Sequence, residues 1–505
     1  MKRILTILLI AVFISMPASI AASEEWHYAN WYEIFVSSYR DSDGDGIGDL
    51  RGVIDSLDYI EDMGYTGIWL MPVMPSPSYH KYDVTDYKNI APEYGTLEDM
   101  KALVNACHER NIRIIIDMPV NHTSTRHPWF LSAAEALQRR NTESPYIEYY
   151  NFTEKEGMNK VKVSGTGWYY EEQFAGGNMP DLNLENEKVL QEIEDIFRFW
   201  LTDIDADGFR FDAVTSYFTN NTQKNTALLK KLKDMAERIK PGSYIVAEAW
   251  TSLTDISAYY ESGIDSFFLF PASQAEGYIA RTIRARSPGS TYVKYLEQVY
   301  EAIPNGIIAP FIGNHDTGRA VGSLQARSSP ERAKFAEALV NLMGGATFTY
   351  YGEEIGMVGS GEDPNKRLAM YWNDEDMTLQ PPGVTSIEYA YPSVDEQIRD
   401  ENSLLNYCKR LNHIKIAVPS IARGKTEILD SGSSHAVLKR VWEEETSVIV
   451  INLSAKNALE YELNTKHLSL YDVLSASGGE SYCEVSENGA SLSLAPYTFA
   501  VLVKK

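Results

Sequence analysis

The feature that most constrains the fold of this chain is a regular alternation along its length. From Trp31 onward, short runs rich in β-branched and aromatic residues alternate with amphipathic helical runs, which is typical of βα units around a parallel sheet. Eight runs are predicted as strands: 32–38, 67–73, 113–120, 208–214, 243–250, 266–271, 306–314 and 347–351. Helices are expected between them, for example over 185–202, 226–239, 330–343 and 395–416. Eight such units predict an α/β fold, a closed (β/α)8 TIM barrel with its active site at the C-terminal ends of the strands.

Two stretches interrupt or end this alternation. Residues 121–184 separate the third strand from the next helix, whereas a strand-to-helix loop usually has about 2 to 6 residues. We therefore expect an inserted lobe there, at the catalytic face of a barrel formed by residues 23–120 and 185–416. After residue 416 the helical period stops and short alternating runs lie between turns, which predicts a C-terminal antiparallel β-sandwich over 417–505.

The first 22 residues have the pattern of a secretory signal. Lys2 and Arg3 precede an apolar run over 4–16, and small residues end at Ala22. The run is too short to span a bilayer comfortably, so a membrane anchor is the less favoured alternative. We expect cleavage near Ala21 or Ala22 and a secreted, extracellular or periplasmic mature protein.

The charge balance limits the partners that this chain can have. Its 70 acidic and 46 basic residues give a formal charge of -24, and so acidic a surface would repel nucleic acid and an anionic membrane face. A neutral or cationic ligand is expected instead, and nothing in the sequence implies a protein partner. The hydrophobic share of 44% is sufficient for a large buried core.

Carboxylates end three of the predicted barrel strands: Asp212, Glu248 and Asp316. Taken singly, each is better explained as an ion-pair partner or a helix cap. Taken together at one rim of a barrel, they are better explained as an active site. Glycoside hydrolysis needs such a set, because a carboxylate nucleophile and a carboxylic acid must flank the bond that is cleaved.

With these residues in view, the sequence resembles the α-amylase family of glycoside hydrolases over nearly its whole length after the signal. The family's short motifs occur here in order: Asp117–His122, Met179–Asn183, Gly208–Asp212, Glu248 and Phe311–Asp316. The resemblance implies Asp212 as the nucleophile and Glu248 as the general acid and then base. It implies Asp316 as the carboxylate that grips hydroxyls of the glucose at the cleaved bond.

The resemblance also implies substrate contacts around these carboxylates. His122 and His315 would contact the same glucose, and we expect their imidazoles to be neutral. Tyr82 would provide an aromatic platform beneath that glucose, with His80 beside it. Arg210 would keep Asp212 ionised through its charge, while Glu248 should have a raised pKa so that it can act as an acid.

The segment that follows the first strand predicts a calcium site. Carboxylates stand at the first, third, fifth and ninth positions of residues 41–49, and the carbonyl of Ile47 stands at the seventh; these are hard oxygen ligands from Asp41, Asp43, Asp45, Ile47 and Asp49. A solvated acidic turn is the alternative. The loop is not an EF-hand, because its twelfth position is Gly52 rather than Glu.

A second calcium is implied only by the resemblance, through Asn121 and Asp181. Many amylases have a Lys-His pair after the nucleophile, where this chain has Thr215-Ser216. Because of that departure, the resemblance supports the second metal and the family's contacts on the leaving-group side less strongly than it supports the other sites.

The site motifs favour a retaining, endo-acting α-amylase that cleaves α-1,4-glucosidic bonds in starch and maltooligosaccharides. Ala213 resembles α-1,4-acting members, and Tyr79 stands where chain-end glucosidases tend to have an Asp that closes the pocket, so an open cleft is expected. The segments 179–183, 351–357 and 367–372 instead resemble the oligosaccharide-acting branch. The chain is therefore predicted to be intermediate between the two types.

Two alternatives remain. One is an α-1,4-glucosidase, or a maltodextrin-acting or transglycosylating enzyme, of the same family. The other is a non-catalytic carbohydrate-binding protein on the same scaffold. The second is disfavoured because such proteins usually lose a catalytic carboxylate, and this chain retains all three.

Overall fold

A computed structural model describes residues 25–174, 176–286 and 288–504. The predicted signal at residues 1–22 lies outside the described residues. No helix in these three ranges has the length and apolar character needed to cross a membrane.

The elements are numbered in chain order. The strands are β1 (Asn30–Ile34), β2 (Gly67–Leu70), β3 (Arg113–Met118), β4 (Phe152–Thr153), β5 (Lys160–Lys162), β6 (Tyr169–Glu171), β7 (Gly208–Phe211), β8 (Tyr244–Ala247), β9 (Ser266–Phe268), β10 (Ile307–Ala309), β11 (Thr347–Tyr350), β12 (Lys425–Ser431), β13 (His435–Trp442), β14 (Glu445–Asn452), β15 (Leu459–Leu463), β16 (Ser469–Ser475), β17 (Tyr482–Ser486), β18 (Gly489–Leu494) and β19 (Thr498–Lys504). The α-helices are α1 (Leu50–Asp55), α2 (Leu57–Asp62), α3 (Leu97–Glu109), α4 (Pro128–Gln138), α5 (Glu187–Arg198), α6 (Thr222–Ile239), α7 (Leu253–Tyr259), α8 (Tyr278–Ile283), α9 (Gly289–Ala302), α10 (Ala320–Ser323), α11 (Pro330–Asn341), α12 (Val394–Arg399), α13 (Leu404–Ala417) and α14 (Ser420–Arg423).

Eight parallel strands of the described chain form the barrel. Their order is β10-β9-β8-β7-β3-β2-β1-β11. The two end strands are joined by backbone hydrogen bonds from Ala346 to the Ile308 carbonyl (2.9 Å) and from Phe348 to the Pro310 carbonyl (3.1 Å). Every predicted barrel strand overlaps an observed one, so the predicted TIM barrel is confirmed.

The lower part of the barrel lumen is filled by aromatic rings. Trp31 stacks on Tyr244 at 5.1 Å between ring centroids and on Phe348 at 5.8 Å, and Trp69 packs against Phe268 at 5.3 Å. These rings are almost completely buried. Because side chains in a strand alternate between two faces, the next inward positions lie one layer higher, toward the C-terminal rim.

Helices cover the outside of the barrel. On α5, the buried residues recur at helical spacing as Val189, Leu190, Ile193, Ile196 and Phe197. Phe197 stacks on Phe211 of β7 at 5.6 Å. The outward face of β7 therefore belongs to the core between sheet and helices, which leaves its inward face for the lumen.

The segment between β3 and α5 contains helix α4 and a small antiparallel sheet of order β4-β6-β5. Beyond α14, two antiparallel sheets of order β12-β13-β14-β19-β16 and β15-β18-β17 enclose an apolar core that includes Val448, Leu492 and Leu502. The predicted C-terminal β domain is thereby confirmed. The residue boundaries proposed for the domains stay predictions.

One predicted element is wrong in detail. The run 395–416 forms two helices, α12 and α13, rather than one. Asp400 adopts an extended conformation after α12, and Ser403 caps α13 by accepting a hydrogen bond from the Asn406 N–H (3.1 Å). The Asn406 side chain donates to the carbonyls of Gln397 and Asp400, so it satisfies the end of the preceding helix.

A glycine in β7 allows two barrel strands to approach closely. A Cβ at Gly208 would lie 1.8 Å from the Tyr244 carbonyl oxygen of β8. We expect Gly208→Ala to lower the free energy of unfolding by about 3 kcal/mol or more, because the strands would have to separate. The measurement is chemical or thermal unfolding. Gly322→Ala is the matched control, since nothing lies within 4 Å of its added Cβ; equal stability losses in the two variants would contradict the prediction.

Candidate active site

Inward positions of the neighbouring strands β8, β7 and β3, and of β1 beyond β2, bring the ionisable groups together. Alternate residues of each strand face the barrel lumen. On β7 and just beyond it these are Arg210 and Asp212, and on β8 they extend from Tyr244 to Glu248 just past the strand end. On β3 the corresponding residue is Asp117, and on β1 it is Glu33. All of these side chains lie above the aromatic layer, at the C-terminal rim of the barrel.

Arg210 is the centre of this polar layer and is completely buried. Its Nη1 donates to Asp117 Oδ1 (2.9 Å) and to Asp212 Oδ1 (2.7 Å). Its Nη2 donates to Glu248 Oε2 (2.6 Å). One guanidinium therefore holds three carboxyl groups, and a single positive charge cannot balance three negative ones.

The charge imbalance is resolved by protonation. Burial raises the pKa of Glu248 to about 8, and the negative charge of Asp212 adds to that rise against the attraction of Arg210. Burial also raises the pKa of Asp117 to about 6. Near neutral pH, Glu248 is thus a carboxylic acid, as a general acid must be.

The hydrogen bonds leave one oxygen free on each of the carboxyl groups of Asp212 and Glu248. Glu248 Oε2 accepts from Arg210 and from the Ala213 N–H (3.1 Å), so the proton belongs on Oε1. Asp212 Oδ1 accepts from Arg210. Within the described residues, neither Glu248 Oε1 nor Asp212 Oδ2 has a hydrogen-bond partner, and both oxygens are available to a substrate.

Ala213 has a left-handed backbone conformation, with φ of +46°. This conformation is uncommon for a residue with a side chain and turns the chain sharply after Asp212. The turn directs the Ala213 N–H at Glu248 and so couples the two carboxyl groups through the backbone.

The third predicted catalytic carboxylate, Asp316, lies among cations. His315 Nε2 is 3.2 Å from Asp316 Oδ2, and Arg367 Nη2 donates to Oδ1 (3.1 Å). Burial alone would raise the pKa of Asp316, but the positive charges of His315 and Arg367 outweigh it and hold that pKa well below its usual range. Asp316 is therefore ionised, with about a third (35%) of its side chain exposed.

His315 differs from the expectation of a neutral imidazole. Burial would lower its pKa, but Asp316 and Glu33 raise it to about 9, because each carboxylate faces one ring nitrogen. Its ring is completely buried and stacks on Tyr82 at 5.5 Å. The sequence prediction missed Glu33, whose charge determines this protonation state.

The other predicted sugar contacts lie around one cavity of about 180 Å³. Burial lowers the pKa of His122, and burial together with Arg367 lowers the pKa of His80 to about 4, so both rings are neutral. His122 Nε2 is buried and has no partner among the described residues, which leaves it free for a hydroxyl. Tyr82 keeps its ring toward the cavity while its hydroxyl donates to Asp117 Oδ2 (2.9 Å).

The structure adds cavity residues that the sequence prediction did not place in the site. Phe174 and Met179 come from the inserted lobe, and Asp363 and Arg367 come from the loop after β11. Arg367 forms an ion pair with Asp363 and donates to the Tyr79 hydroxyl (3.0 Å). Asp363 and Arg367 are four residues apart, a spacing that is also common in surface ion pairs, so the sequence alone gives no signal that this pair lies in the cavity.

Three carboxylates converge in the predicted metal loop: Asp41, Asp43 and Asp49, each with an oxygen within 4.8 Å of the others. Asp41 accepts backbone hydrogen bonds from Asp43, Gly44 and Gly46, which outweigh burial and lower its pKa. The Asp45 carboxylate instead accepts from the Ile47 N–H (2.7 Å), outside this group of three. Three hard oxygen donors in a glycine-containing loop fit Ca²⁺.

The second predicted metal position has a different arrangement. Asn121 Nδ2 donates directly to Asp181 Oδ1 (2.9 Å), and both side chains are buried. Burial raises the pKa of Asp181 to about 7. The amide thus uses an oxygen that a cation would need, and the second calcium stays a prediction.

The C-terminal rim of this parallel barrel carries a carboxylate beside an arginine, with a buried carboxylic acid next to it. This arrangement is typical of glycoside hydrolases that use two carboxyl groups. Comparison with known proteins identifies the family. Residues 33–424 match the model of the α-amylase catalytic domain. The chain belongs to the α-amylase family, glycoside hydrolase family 13, and is an enzyme of that family.

Individual relatives differ in activity. Alpha-amylase 3 of Dictyoglomus thermophilum is 36% identical over 89% of this chain and 90% of its own length. Glucan 1,6-alpha-glucosidase of Streptococcus pneumoniae is 30% identical over 85% of this chain and 91% of its own length. The solved structure of Eubacterium rectale Amy13B has a TM-score of 0.91 at 39% identity and covers 95% of this chain and 96% of that one.

The raised pKa of Glu248 generates a prediction about stability as well as turnover. Since its folded-state pKa lies near 8 and its unfolded value near 4.3, the folded state binds more protons between these values, and stability falls as pH rises through that window. We expect the free energy of unfolding of Glu248→Gln to rise relative to that of the wild type between about pH 5 and about pH 8. We also expect its kcat to fall by about 10²- to 10⁴-fold, because the proton donor is lost.

Thermal unfolding at both pH values and initial rates provide the measurement. Glu337→Gln is the matched control, because Glu337 is also buried with a pKa raised to about 8 but lies on helix α11, outside the cavity. It should show a similar pH-dependent gain in stability with turnover retained. A Glu248→Gln variant whose stability relative to wild type does not vary with pH would contradict the assignment of the proton.

Proposed function

We propose that this chain is an exported α-amylase that hydrolyses internal α-1,4-glucosidic bonds in starch and maltooligosaccharides with retention of anomeric configuration. The observation that carries the proposal is the shared Arg210. It bonds one oxygen of Asp212 and one oxygen of Glu248, and so leaves Asp212 Oδ2 as a nucleophile and Glu248 as an acid, the two carboxyl functions of a retaining glycosidase.

The mechanism follows from the two free oxygens. Asp212 Oδ2 attacks the anomeric carbon while the proton on Glu248 Oε1 passes to the glycosidic oxygen, so the C–O bond breaks and the leaving chain departs as an alcohol. The glycosyl ester on Asp212 is then attacked by water. Glu248, now a carboxylate, takes the proton from that water, and Asp212 is released as a carboxylate.

The surrounding groups bind and orient the sugar ring. Asp316 is ionised and partly exposed, so it can accept hydrogen bonds from two hydroxyls. The unpartnered His122 Nε2 can hydrogen-bond a third hydroxyl, and the Tyr82 ring provides an apolar face. Arg210 donates to Asp212 Oδ1 at 2.7 Å and so fixes positive charge beside the nucleophile, which is electrostatic preorganisation rather than binding of the sugar.

Features beside the cavity support action within a chain. Tyr79 stands at the position where chain-end glucosidases tend to have an Asp, and its hydroxyl bonds to Arg367 and Asp363. Trp250, two residues after Glu248, has a ring that is half exposed and stacks on Phe270 at 4.6 Å, which presents an aromatic surface to a leaving chain. Relatives named α-amylase also support this substrate class.

A second candidate is a chain-end α-1,4-glucosidase or a transglycosylating enzyme. The cavity of about 180 Å³ is small for a site that binds several sugar rings, and relatives include an enzyme named α-glucosidase and one named trehalose synthase/amylase. Product analysis separates this candidate from the first.

Calcium and export complete the proposal. We infer that Asp41, Asp43 and Asp49 hold one Ca²⁺ that stabilises the loop between β1 and α1, with no part in the bond-breaking steps. The tripartite pattern of residues 1–22 supports export through a cleaved signal.

The proposed function is tested by the products released from soluble starch and from maltoheptaose over time. We expect iodine staining to fall well before reducing ends accumulate, and the first products to be α-anomers by proton NMR. Asp212→Asn should lose nearly all turnover yet still bind maltooligosaccharides. Glucose released from the outset while the polymer stays long would favour the chain-end candidate, and β-anomeric products would exclude retention.

The calcium site is tested by thermal unfolding with EGTA and by calorimetric titration with CaCl₂. We expect Ca²⁺ to raise the unfolding temperature, and Asp43→Asn to weaken its affinity by about tenfold or more because a charged ligand is lost. Asp45→Asn is the matched control and should weaken affinity less, since its carboxylate lies outside the group of three. Equal effects of the two variants, or no response to Ca²⁺, would contradict the site.

A further inference from the structure

We propose that Glu33 on β1 is a positioning residue for the sugar-binding carboxylate: it holds the His315 imidazolium against Asp316, and thereby keeps Asp316 ionised and directed into the cavity. Glu33 itself lies below the cavity and touches no substrate. The inference rests on the proposed function, in which Asp316 grips hydroxyls of the sugar at the cleaved bond.

The geometry starts with the hydrogen bond between His315 Nδ1 and Glu33 Oε1, which measures 2.5 Å. Both side chains are almost completely buried. A buried carboxylate with an imidazole at this distance is stabilised as an ion pair, since either charge alone would be costly in the barrel lumen. Glu33 lies beside Trp69 of β2 and Tyr350 of β11 in the sheet, so its backbone is fixed on both sides.

The second ring nitrogen shows which protonation state the site needs. His315 Nε2 lies 2.7 Å from the Tyr82 hydroxyl and 3.2 Å from Asp316 Oδ2. If Nε2 carried no proton, its lone pair would face the Asp316 carboxylate and repel it. The Tyr82 hydroxyl also donates its single proton to Asp117 Oδ2 (2.9 Å), so it is not available to His315. Nε2 must therefore be a donor, and His315 is an imidazolium.

Charged and titratable groups reach His315 from several elements. Glu33 comes from β1, Tyr82 from the loop after β2, Asp117 from β3, Glu248 from the end of β8, and Asp316 is its neighbour in sequence. Tyr82 is neutral, since burial raises its pKa well above the usual value. Of the anionic groups, Glu33 is hydrogen-bonded to His315 and faces away from the substrate, so it keeps the imidazolium charged whether or not sugar is bound.

The consequence for Asp316 is both electrostatic and geometric. Its Oδ2 is held by His315 and its Oδ1 by Arg367, on opposite sides of the carboxylate. Among the described residues, loss of the charge on His315 would leave Arg367 as the one cation hydrogen-bonded to the Asp316 carboxylate, while Lys366 bonds the Asp316 backbone carbonyl. Arg367 is itself shared with Asp363. Asp316 would then lose orientation and part of its affinity for the sugar hydroxyls.

The experiment compares Glu33→Gln with the wild type, because glutamine retains the shape and removes the charge. Histidine-selective ¹³C NMR follows the titration of His315, whose resonance is identified by its absence in His315→Asn. We expect a midpoint near pH 9 in the wild type and a fall of at least about one pH unit in Glu33→Gln. Glu33→Asp, which restores the charge, should bring the midpoint back toward the wild-type value.

Kinetics provide the second readout. The ratio of kcat/KM for Glu33→Gln to that of the wild type should be nearly constant at low pH. It should then fall by up to about tenfold per pH unit between the two His315 midpoints. Titration of Glu248 cannot mimic this fall, since loss of the neighbouring imidazolium raises the pKa of Glu248 and shifts its titration in the opposite direction.

Glu354→Gln is the matched control. Glu354 is also a buried carboxylate near the same end of the barrel, but it accepts hydrogen bonds from Tyr32 (2.6 Å) and Tyr59 (2.9 Å) instead of a histidine. Its loss should change stability and leave the His315 titration at its wild-type position. The proposal is overturned if His315 titrates near 6.5 in the wild type, which requires no variant to fold, or if Glu33→Gln leaves the midpoint unchanged.

Failure of this proposal and failure of the proposed function are distinguishable. The NMR titration needs no turnover, so it reports on Glu33 and His315 even if the products prove to be those of a chain-end enzyme. Conversely, the products of the wild type decide the function whatever the titration of His315 shows.

Discussion

The contact of one buried guanidinium with three carboxyl groups is the interaction on which the site depends. A lone charge in the barrel lumen would be very costly, and Arg210 avoids that cost by bonding Asp117, Asp212 and Glu248 at once. Because the partners outnumber the cation, the cluster keeps protons on some carboxyl groups. The roles proposed for Asp212 and Glu248 thus depend on one electrostatic imbalance rather than on two unrelated environments.

The barrel supplies the conditions for that imbalance. The aromatic layer around Trp31 and Trp69 fills the lumen beneath the polar layer, so the carboxyl groups are buried on that side. Burial is consequently the largest contribution to the raised pKa values of Glu248 and Asp117. Alternate residues of β1 face the lumen, so Trp31 lies in the lower, aromatic layer and Glu33 lies in the upper, polar layer. The packing of Trp31 therefore fixes the position from which Glu33 bonds His315.

Much of this arrangement was predictable from sequence, because it depends on local periodicity. The eight strands follow from runs of apolar residues, and Asp212 and Glu248 come directly after β7 and β8. Asp316 lies in the loop after β10, which ends at Ala309. The charge of His315 was not predictable, since its partner Glu33 lies 282 residues away and reads as one acid within an apolar strand. The break between α12 and α13 was missed because Asn406, a residue that is unremarkable in a helix, satisfies the carbonyls that end the preceding one.

Raised pKa values alone do not identify this active site. Glu353 and Glu337 are buried and have pKa values raised to about 7 and about 8, similar to that of Glu248. Glu353 accepts hydrogen bonds from the Ala320 N–H and faces Arg319, and Glu337 lies on helix α11. Glu248 differs because one of its oxygens is fixed by two donors, Arg210 and the Ala213 N–H, while its other oxygen has no partner among the described residues and the Asp212 carboxyl group shares the same arginine. The combination of a held proton, a free oxygen and a neighbouring carboxylate is what gives the perturbed group a chemical use.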